Sequence, residues 1–163
     1  MPELPDVANF KRYLDATSLH QRIERTSVGD PRILAGVSGQ KLARALKGAE
    51  LISSTRYGKH LLVETTGEGW LMLHFGMTGE LSYYKKDDAV PEYAKMVIDF
   101  ENGWHLAYIS RRMLGEVGLA NSLRCFLKER DLGPDALDES LDADWFVEEV
   151  SGRRGMVKTL LMD

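Results

Sequence analysis

The chain has 163 residues, of which 44% are hydrophobic and 28% are charged, and its formal net charge is −4. This is the composition of one ordinary globular domain, and it excludes a low-complexity or largely disordered protein. The single cysteine, Cys125, excludes an intrachain disulfide and, with four scattered histidines, offers no zinc-ligand spacing. The lack of a disulfide favours a reducing, cytoplasmic setting, and apolar runs far too short to cross a bilayer predict a protein that binds no membrane. With this acidic net charge, any nucleic-acid surface must be a local basic face.

The first third of the chain predicts two helices. Apolar residues at helical spacing indicate a helix over 6–17, with Asp6 available as its cap. A second, shorter helix is predicted over Ser38–Leu46, where Ser38 caps the start and Gly48 stops the helix.

From about residue 49 the chain changes to short segments rich in β-branched and aromatic residues, separated by turn pairs such as Asn102-Gly103. The predicted strands are Leu51–Tyr57, His60–Thr65, Trp70–Phe75, Gly79–Tyr84, Met96–Phe100 and His105–Ile109. These segments predict an antiparallel β-sandwich. Helical patterns return over 119–131 and Asp144–Val150, and a further helix is expected to start before the chain ends at Asp163. The expected fold class is α+β, with the sandwich flanked by the N-terminal helix and the later ones.

The extreme N-terminus carries a reactive group. Removal of Met1 makes Pro2 a terminal secondary amine, and an ordinary pKa of roughly 8 leaves a useful fraction of it unprotonated. Such an amine can attack C1′ of a nucleotide sugar and expel the base, and the resulting iminium ion can lose its C2′ proton and eliminate the 3′ phosphate. Glu3 is adjacent and can move protons in both steps. The alternative is an unremarkable chain start in which proline opens a turn.

The stretch Met1–Val7 resembles the start of the formamidopyrimidine-DNA glycosylase and endonuclease VIII family, with Asp6 in place of a glutamate. The resemblance covers the whole chain. It implies a DNA glycosylase with apurinic/apyrimidinic (AP) lyase activity, which excises oxidised bases in base excision repair. The implied partner is double-stranded DNA with damaged bases or abasic sites, and the implied catalytic residues are Pro2 as Schiff-base nucleophile and Glu3 as proton shuttle. We expect a monomer.

Two further motifs continue the resemblance in the family's order. The basic turn Arg56–Lys59 implies that Lys59 contacts a phosphate. The stretch His74–Gly79 implies that His74 lies near a phosphate and that Met77 fills the gap left by an everted nucleotide. The alternatives are a solvated lysine, a structural histidine and a methionine that fills a gap in the core.

The stretch Ser110–Gly115 resembles a family loop that reads Asp-Pro-Arg-Arg-Phe-Gly. The match implies that Arg112 pairs with the orphaned base and that Leu114 replaces a phenylalanine beside it. Leucine keeps an apolar wedge but loses ring stacking, which is worth about 1–3 kcal/mol per base. Met113 replaces the second arginine of the loop, so that Arg111 either compensates or is solvated.

The final stretch, Lys158–Asp163, resembles the family's lead-in to a helix–two-turn–helix segment. The resemblance implies that residues 1–133 form the N-terminal catalytic β-sandwich domain. Residues 134–163 would be a linker and the first part of a truncated helix–two-turn–helix domain. The family's structural zinc finger lies beyond this region, so no metal or cofactor is expected in this chain. A bacterial or archaeal protein, associated with the nucleoid when bound to DNA, is expected. The alternatives are a catalytically inactive DNA-binding or damage-recognition domain and a plain β-sandwich interaction module.

Overall fold

A computed structural model of the chain describes residues 2–156. Within this range the helices are α1 (Leu4–Ser18), α2 (Gly39–Leu46), α3 (Leu123–Glu129) and α4 (Ala143–Val150). The strands are β1 (Ile23–Val28), β2 (Leu34–Ala35), β3 (Leu51–Tyr57), β4 (His60–Thr65), β5 (Trp70–His74), β6 (Gly79–Lys85), β7 (Ala94–Phe100), β8 (Trp104–Ser110) and β9 (Glu116–Ala120). No helix in residues 2–156 combines the length and the apolar character needed to cross a bilayer.

The strands form two sheets. One has four strands in the order β1-β7-β8-β6, and the other has five in the order β2-β9-β5-β4-β3. Neighbouring strands are antiparallel, except that the two-residue β2 runs parallel to β9. This confirms the predicted α+β fold with an antiparallel sandwich.

The largest hydrophobic cluster joins the two sheets to the first helix. Leu61 and Leu71 of the five-stranded sheet are fully buried in the same cluster as Ile98 of the four-stranded sheet. Helix α1 adds Val7 and Leu14, which are also fully buried. Burial of each such side chain stabilises the fold by about 1.5–3 kcal/mol. The first residues of the chain are therefore held against the sandwich by the helix that follows them.

The start of α1 differs from the prediction. Glu3, rather than Asp6, is the N-cap residue, and the Asp6 carboxylate accepts a hydrogen bond from the Glu3 N–H at 2.8 Å. Pro5 lies in the first turn, where a backbone N–H has no helical partner to lose. The prediction that Asp6 caps the helix was wrong because both acidic residues can serve an N-terminus, and only the backbone geometry decides between them.

The predicted strands are confirmed to within two residues at each end, and so is the helix over Asp144–Val150. The helix predicted over 119–131 is shorter, because residues 119 and 120 complete β9 and Ser122 caps α3 by accepting from the Cys125 N–H. Strands β1, β2 and β9 were not predicted. Four of the six residues of strand β1 are polar, and β2 has only two residues. The helix expected before Asp163 lies outside the described residues.

Candidate active site and nucleic-acid interface

One end of the five-stranded sheet gathers the residues singled out in the sequence. His60, His74 and Glu116 form a row across β4, β5 and β9 because they are paired in register. Lys59 directly precedes this row. The turn that carries Met77 follows it, and the loop before β9 carries Arg112 and Leu114. Antiparallel pairing therefore brings three motifs, which are distant in sequence, to the same end of the sheet.

An ion pair joins the N-terminal segment to the same end of the sheet. The Lys59 ammonium lies 2.8 Å from a carboxylate oxygen of Glu3, with side chains 39% and 51% exposed. Pro2 immediately precedes Glu3 and is half-buried. A cation and a carboxylate are thus paired beside the residue that becomes the N-terminal amine when Met1 is removed. The exposure of both charges leaves them open to a ligand.

The turn that carries Lys59 is fixed by a hydrogen bond to Asp135. Gly58 and Lys59 form a two-residue turn between β3 and β4, and Gly58 has a φ of +53°. The Gly58 N–H donates to the carboxylate of Asp135, which also pairs with Arg56 at 2.6 Å. Arg56, which resembled part of a basic surface, is therefore a largely buried partner of an acid. Sequence reasoning missed Asp135, since nothing local marks it as a contact of a strand almost eighty positions earlier.

The two histidines of the row are neutral at physiological pH. Burial, with a smaller contribution from His74, lowers the pKa of His60 to about 4. Burial also lowers the pKa of His74, and the rings lie 4.8 Å apart. The His74 carbonyl accepts a hydrogen bond from the Tyr108 hydroxyl at 2.7 Å. His74 thus has a structural contact through its backbone, while its neutral imidazole keeps one N–H that can be donated to a ligand.

The turn with Met77 and the loop with Leu114 are packed together. Gly76 has a φ of +57°, and a Cβ atom added to it would meet the Leu114 carbonyl oxygen at 2.2 Å. The Arg112 N–H donates to the Thr78 hydroxyl at 3.1 Å. Glycine at position 76 is therefore required for the two segments to approach so closely.

The side chains at the tips of these segments face solvent. Met77 is 40% exposed and Leu114 is 49% exposed. Met77 is therefore not a gap-filling side chain of the core. Arg112 is also exposed, and within residues 2–156 it makes no ion pair. Between them, Met113 adopts a φ of +56° and packs its side chain against the main core. Met113 thus anchors the loop on the core, while Arg112 and Leu114 on either side of it are exposed to solvent.

Arg111 is neither a free solvated charge nor a core residue. Its guanidinium lies 5.2 Å from the centre of the Tyr93 ring, which is a cation–π contact. Tyr93 is 42% exposed and has a φ of +62°. The Ser110 N–H donates to the Tyr93 carbonyl at 3.1 Å, so this pair borders the loop that carries Arg112.

Two further basic residues of the C-terminal part of the chain have acidic partners. Arg130 pairs with Glu116 at 2.7 Å, and Arg153 pairs with Glu149 on α4. Among residues 2–156, no group of three histidine, cysteine, aspartate or glutamate side chains is arranged to hold a metal ion. That the chemistry needs no cofactor stays a prediction.

Comparison with known proteins identifies the family. The family model for the formamidopyrimidine-DNA glycosylase N-terminal domain matches residues 1–117. The chain belongs to the formamidopyrimidine-DNA glycosylase family. It is 33% identical over 165 residues to the formamidopyrimidine-DNA glycosylase of Moorella thermoacetica, covering all of this chain and 60% of that protein. The enzyme of the same name from a Synechocystis species is 32% identical, with 61% of its length covered. The chain thus spans about 60% of the length of the relatives it matches.

Solved structures of the formamidopyrimidine-DNA glycosylase family share this fold. A complex between Lactococcus lactis Fpg and DNA containing an abasic site matches with a TM-score of 0.90 at 23% identity, covering 99% of this chain and 60% of that one. A complex of the same protein with DNA containing N7-benzyl-Fapy-dG also gives a TM-score of 0.90. At this level of identity the match confirms the arrangement of sheets and helices.

Proposed function

We propose that this chain carries the catalytic domain of a DNA glycosylase with AP lyase activity, which excises oxidised bases from double-stranded DNA. The observation that carries the proposal is the 2.8 Å ion pair between Lys59 and Glu3, next to Pro2. The turn with Met77 and the loop with Arg112 and Leu114 lie at the same end of the sheet. Membership of a family of DNA glycosylases supports the same reaction class.

The reaction begins at the Pro2 nitrogen once Met1 is removed. The free amine attacks C1′ of the damaged nucleotide, the C1′–N bond to the base breaks, and the base leaves with a proton. The sugar opens to an iminium ion on Pro2. Loss of a C2′ proton then expels the 3′ phosphate, and addition of water to the iminium carbon releases the sugar aldehyde and frees the amine. Glu3, as the adjacent carboxylate, takes up and returns the protons of these steps.

Lys59 is the proposed phosphate contact in this scheme. Its ammonium is half-exposed and sits on a tight turn, so a DNA phosphate can approach it from solvent. When the phosphate pairs with Lys59, the Glu3 carboxylate loses its competing partner and is available for proton transfer. The neutral His74 can donate one N–H to a neighbouring phosphate oxygen.

Met77, Leu114 and Arg112 serve the DNA that remains after a nucleotide is everted. Apolar side chains exposed at loop tips are costly to hydrate, and the gap in a base stack offers them an apolar partner. The exposed Arg112 guanidinium can donate to the edge of the orphaned base. Because Gly76 packs the two loops together, the three side chains enter the duplex as a unit.

The decisive experiment is borohydride trapping on duplex DNA with one abasic site, using the chain with a free Pro2 amine. Hydride reduces the iminium ion and leaves a stable covalent adduct, which peptide mapping should assign to Pro2. The matched control is the same chain with Met1 retained, in which the Pro2 nitrogen is a non-nucleophilic amide. A Pro2→Gly variant tests whether the secondary amine itself is needed.

Each outcome separates the proposal from its rival. An adduct that requires the free amine supports the lyase mechanism. DNA binding without an adduct, in a folded chain with a free proline, would overturn the lyase mechanism and favour a damage-recognition domain. Exposed Met77 and Leu114 could still fill a gap in the base stack without any covalent step. Absence of both binding and adduct would leave only an interaction module.

A further inference from the structure

Asp135 is a buried acid in the segment between α3 and α4, remote from Lys59 in sequence. It is 8% exposed, and its two carboxylate oxygens together accept four hydrogen bonds. Two come from the Arg56 guanidinium, at 2.6 and 2.8 Å. The others come from the backbone N–H groups of Gly58, at 2.6 Å, and Leu137, at 2.9 Å.

These contacts converge on the turn that carries Lys59. Besides pairing with Asp135, the Arg56 guanidinium donates to the Gly58 carbonyl at 2.9 Å, so both backbone groups of Gly58 are held. The Tyr57 hydroxyl donates to the Gly133 carbonyl at 2.7 Å, which ties the same hairpin to the same segment. Gly58 is the residue that gives the turn its left-handed φ, and Lys59 is the next residue along.

We propose that Asp135 is a positioning residue for Lys59: it orients the Gly58–Lys59 turn so that the Lys59 ammonium stands beside Glu3. This inference rests on the proposed function only for its consequence in catalysis. A lysine on an otherwise free two-residue turn could place its ammonium over a wide arc. A carboxylate that holds Arg56 by two bonds and Gly58 by a third removes that freedom before DNA arrives.

The charge that performs this role is present throughout the working pH range. Hydrogen bonds from Arg56 are the main cause that lowers the pKa of Asp135 to about 2. Asp135 is therefore not itself a proton shuttle near neutral pH. A variant at this position should change the rate of Schiff-base formation without changing the shape of its pH profile.

The test compares Asp135→Asn with a matched variant in the full chain, with Met1 removed. Asp99→Asn is the control, because Asp99 is another buried acid, 6% exposed and paired with Arg25 at 2.8 Å, but on β7 in the other sheet. Hydrogen exchange at the Gly58 amide reports the orientation of the turn, and borohydride trapping reports the chemistry. Both are normalised to the folded fraction measured by circular dichroism. Asp135→Glu, which keeps the carboxylate, serves if the asparagine variant does not fold.

Asp135→Asn should speed Gly58 exchange and slow adduct formation by about tenfold to a hundredfold, the cost of a misplaced catalytic group. Asp99→Asn should do neither, and Asp135→Glu should restore part of the rate. Combining Asp135→Asn with Lys59→Ala should be no slower than Lys59→Ala alone, because both changes remove the same contribution.

Three results would overturn the inference: unchanged Gly58 exchange, a wild-type trapping rate in folded Asp135→Asn, or losses that multiply in the double variant. If the wild-type chain forms no adduct, the proposed function fails separately. The inference is then decided by Gly58 exchange and by the distance from Lys59 to Glu3 in a crystal structure of Asp135→Asn.

Discussion

Gly76 lies directly against the backbone of Leu114, so that a Cβ atom at position 76 would stand 2.2 Å from the Leu114 carbonyl oxygen. No real Cβ atom tolerates such a distance, and the obstacle is backbone rather than a flexible side chain. The turn with Met77 and the loop with Leu114 are therefore locked together, and the spacing of their exposed side chains is set by this contact.

Replacement of Gly76 by alanine should destabilise the fold and separate the two loops. Gly36→Ala is the matched control, because Gly36 has a similar φ of +67° but open space around it. Strain alone should cost Gly36→Ala about 1 kcal/mol. The clash should cost Gly76→Ala about 1–3 kcal/mol more. Urea unfolding followed by circular dichroism measures both, and equal losses would show that the Leu114 contact is unimportant.

Met77→Ala should weaken binding to duplex DNA with an abasic site and leave stability nearly unchanged. Because Met77 is 40% exposed, its removal should alter the free energy of unfolding by no more than about 0.5 kcal/mol. Loss of the wedge should lower affinity about tenfold, since the gap in the stack is then unfilled. Val90→Ala, at a side chain 64% exposed between β6 and β7, is the control. Fluorescence anisotropy gives the affinities, and identical values for the two variants would contradict the wedge role.

Arg112→Ala should reduce discrimination between bases opposite the lesion, because its guanidinium is free to read a base edge. The expected loss is about 1–3 kcal/mol for the preferred base. Arg111→Ala is the control, since the Arg111 guanidinium is engaged with the Tyr93 ring at 5.2 Å. Adduct yields across four opposite bases measure the effect. A flatter profile in Arg111→Ala than in Arg112→Ala would reverse the assignment of the two arginines.

Stability should fall on acidification through His60. Above pH 6.5 the imidazole is neutral in both the folded and the unfolded chain, and its titration contributes nothing. Between pH 6.5 and about 4 the unfolded chain binds a proton that the folded chain excludes, because burial lowers the His60 pKa to about 4. The free energy of unfolding should therefore drop by up to about 3 kcal/mol across this window.

Denaturant titrations at several pH values measure the drop. It should become shallower in His60→Gln, and His20→Gln, at an exposed histidine, is the control. The pair of Asp135 with Arg56 weakens only in a lower window, as pH falls from about 4 towards 2, because the Asp135 pKa is lowered to about 2. A loss of stability confined to that lower window would show that burial of His60 does not make the fold sensitive to acid.

Local patterns in the sequence were enough to predict most of the elements. Helical spacing predicted α1 and α2, and short β-branched and aromatic segments between turn pairs predicted β3 to β8, because these signals depend on neighbours within one turn or one strand. The same signals failed for β1 and β9. Strand β1 is mostly polar, and β9 contains Gly118, whose absent side chain makes room for the backbone of β2 and for Met72.

The motifs also named the residues that the candidate site brings together, but not how they meet. The pairing of Lys59 with Glu3, of Asp135 with Arg56 and of Gly76 with Leu114 joins positions far apart in the chain. Such contacts follow from strand register and from how α1 packs on the core, and a shift of one residue in the pairing of β4 would move its side chains to the opposite face of the sheet. Composition and periodicity therefore determined the fold class, and the motifs named the candidate reactive residues. Only the tertiary structure decided which charges face each other, because those distances depend on pairings that no local segment encodes.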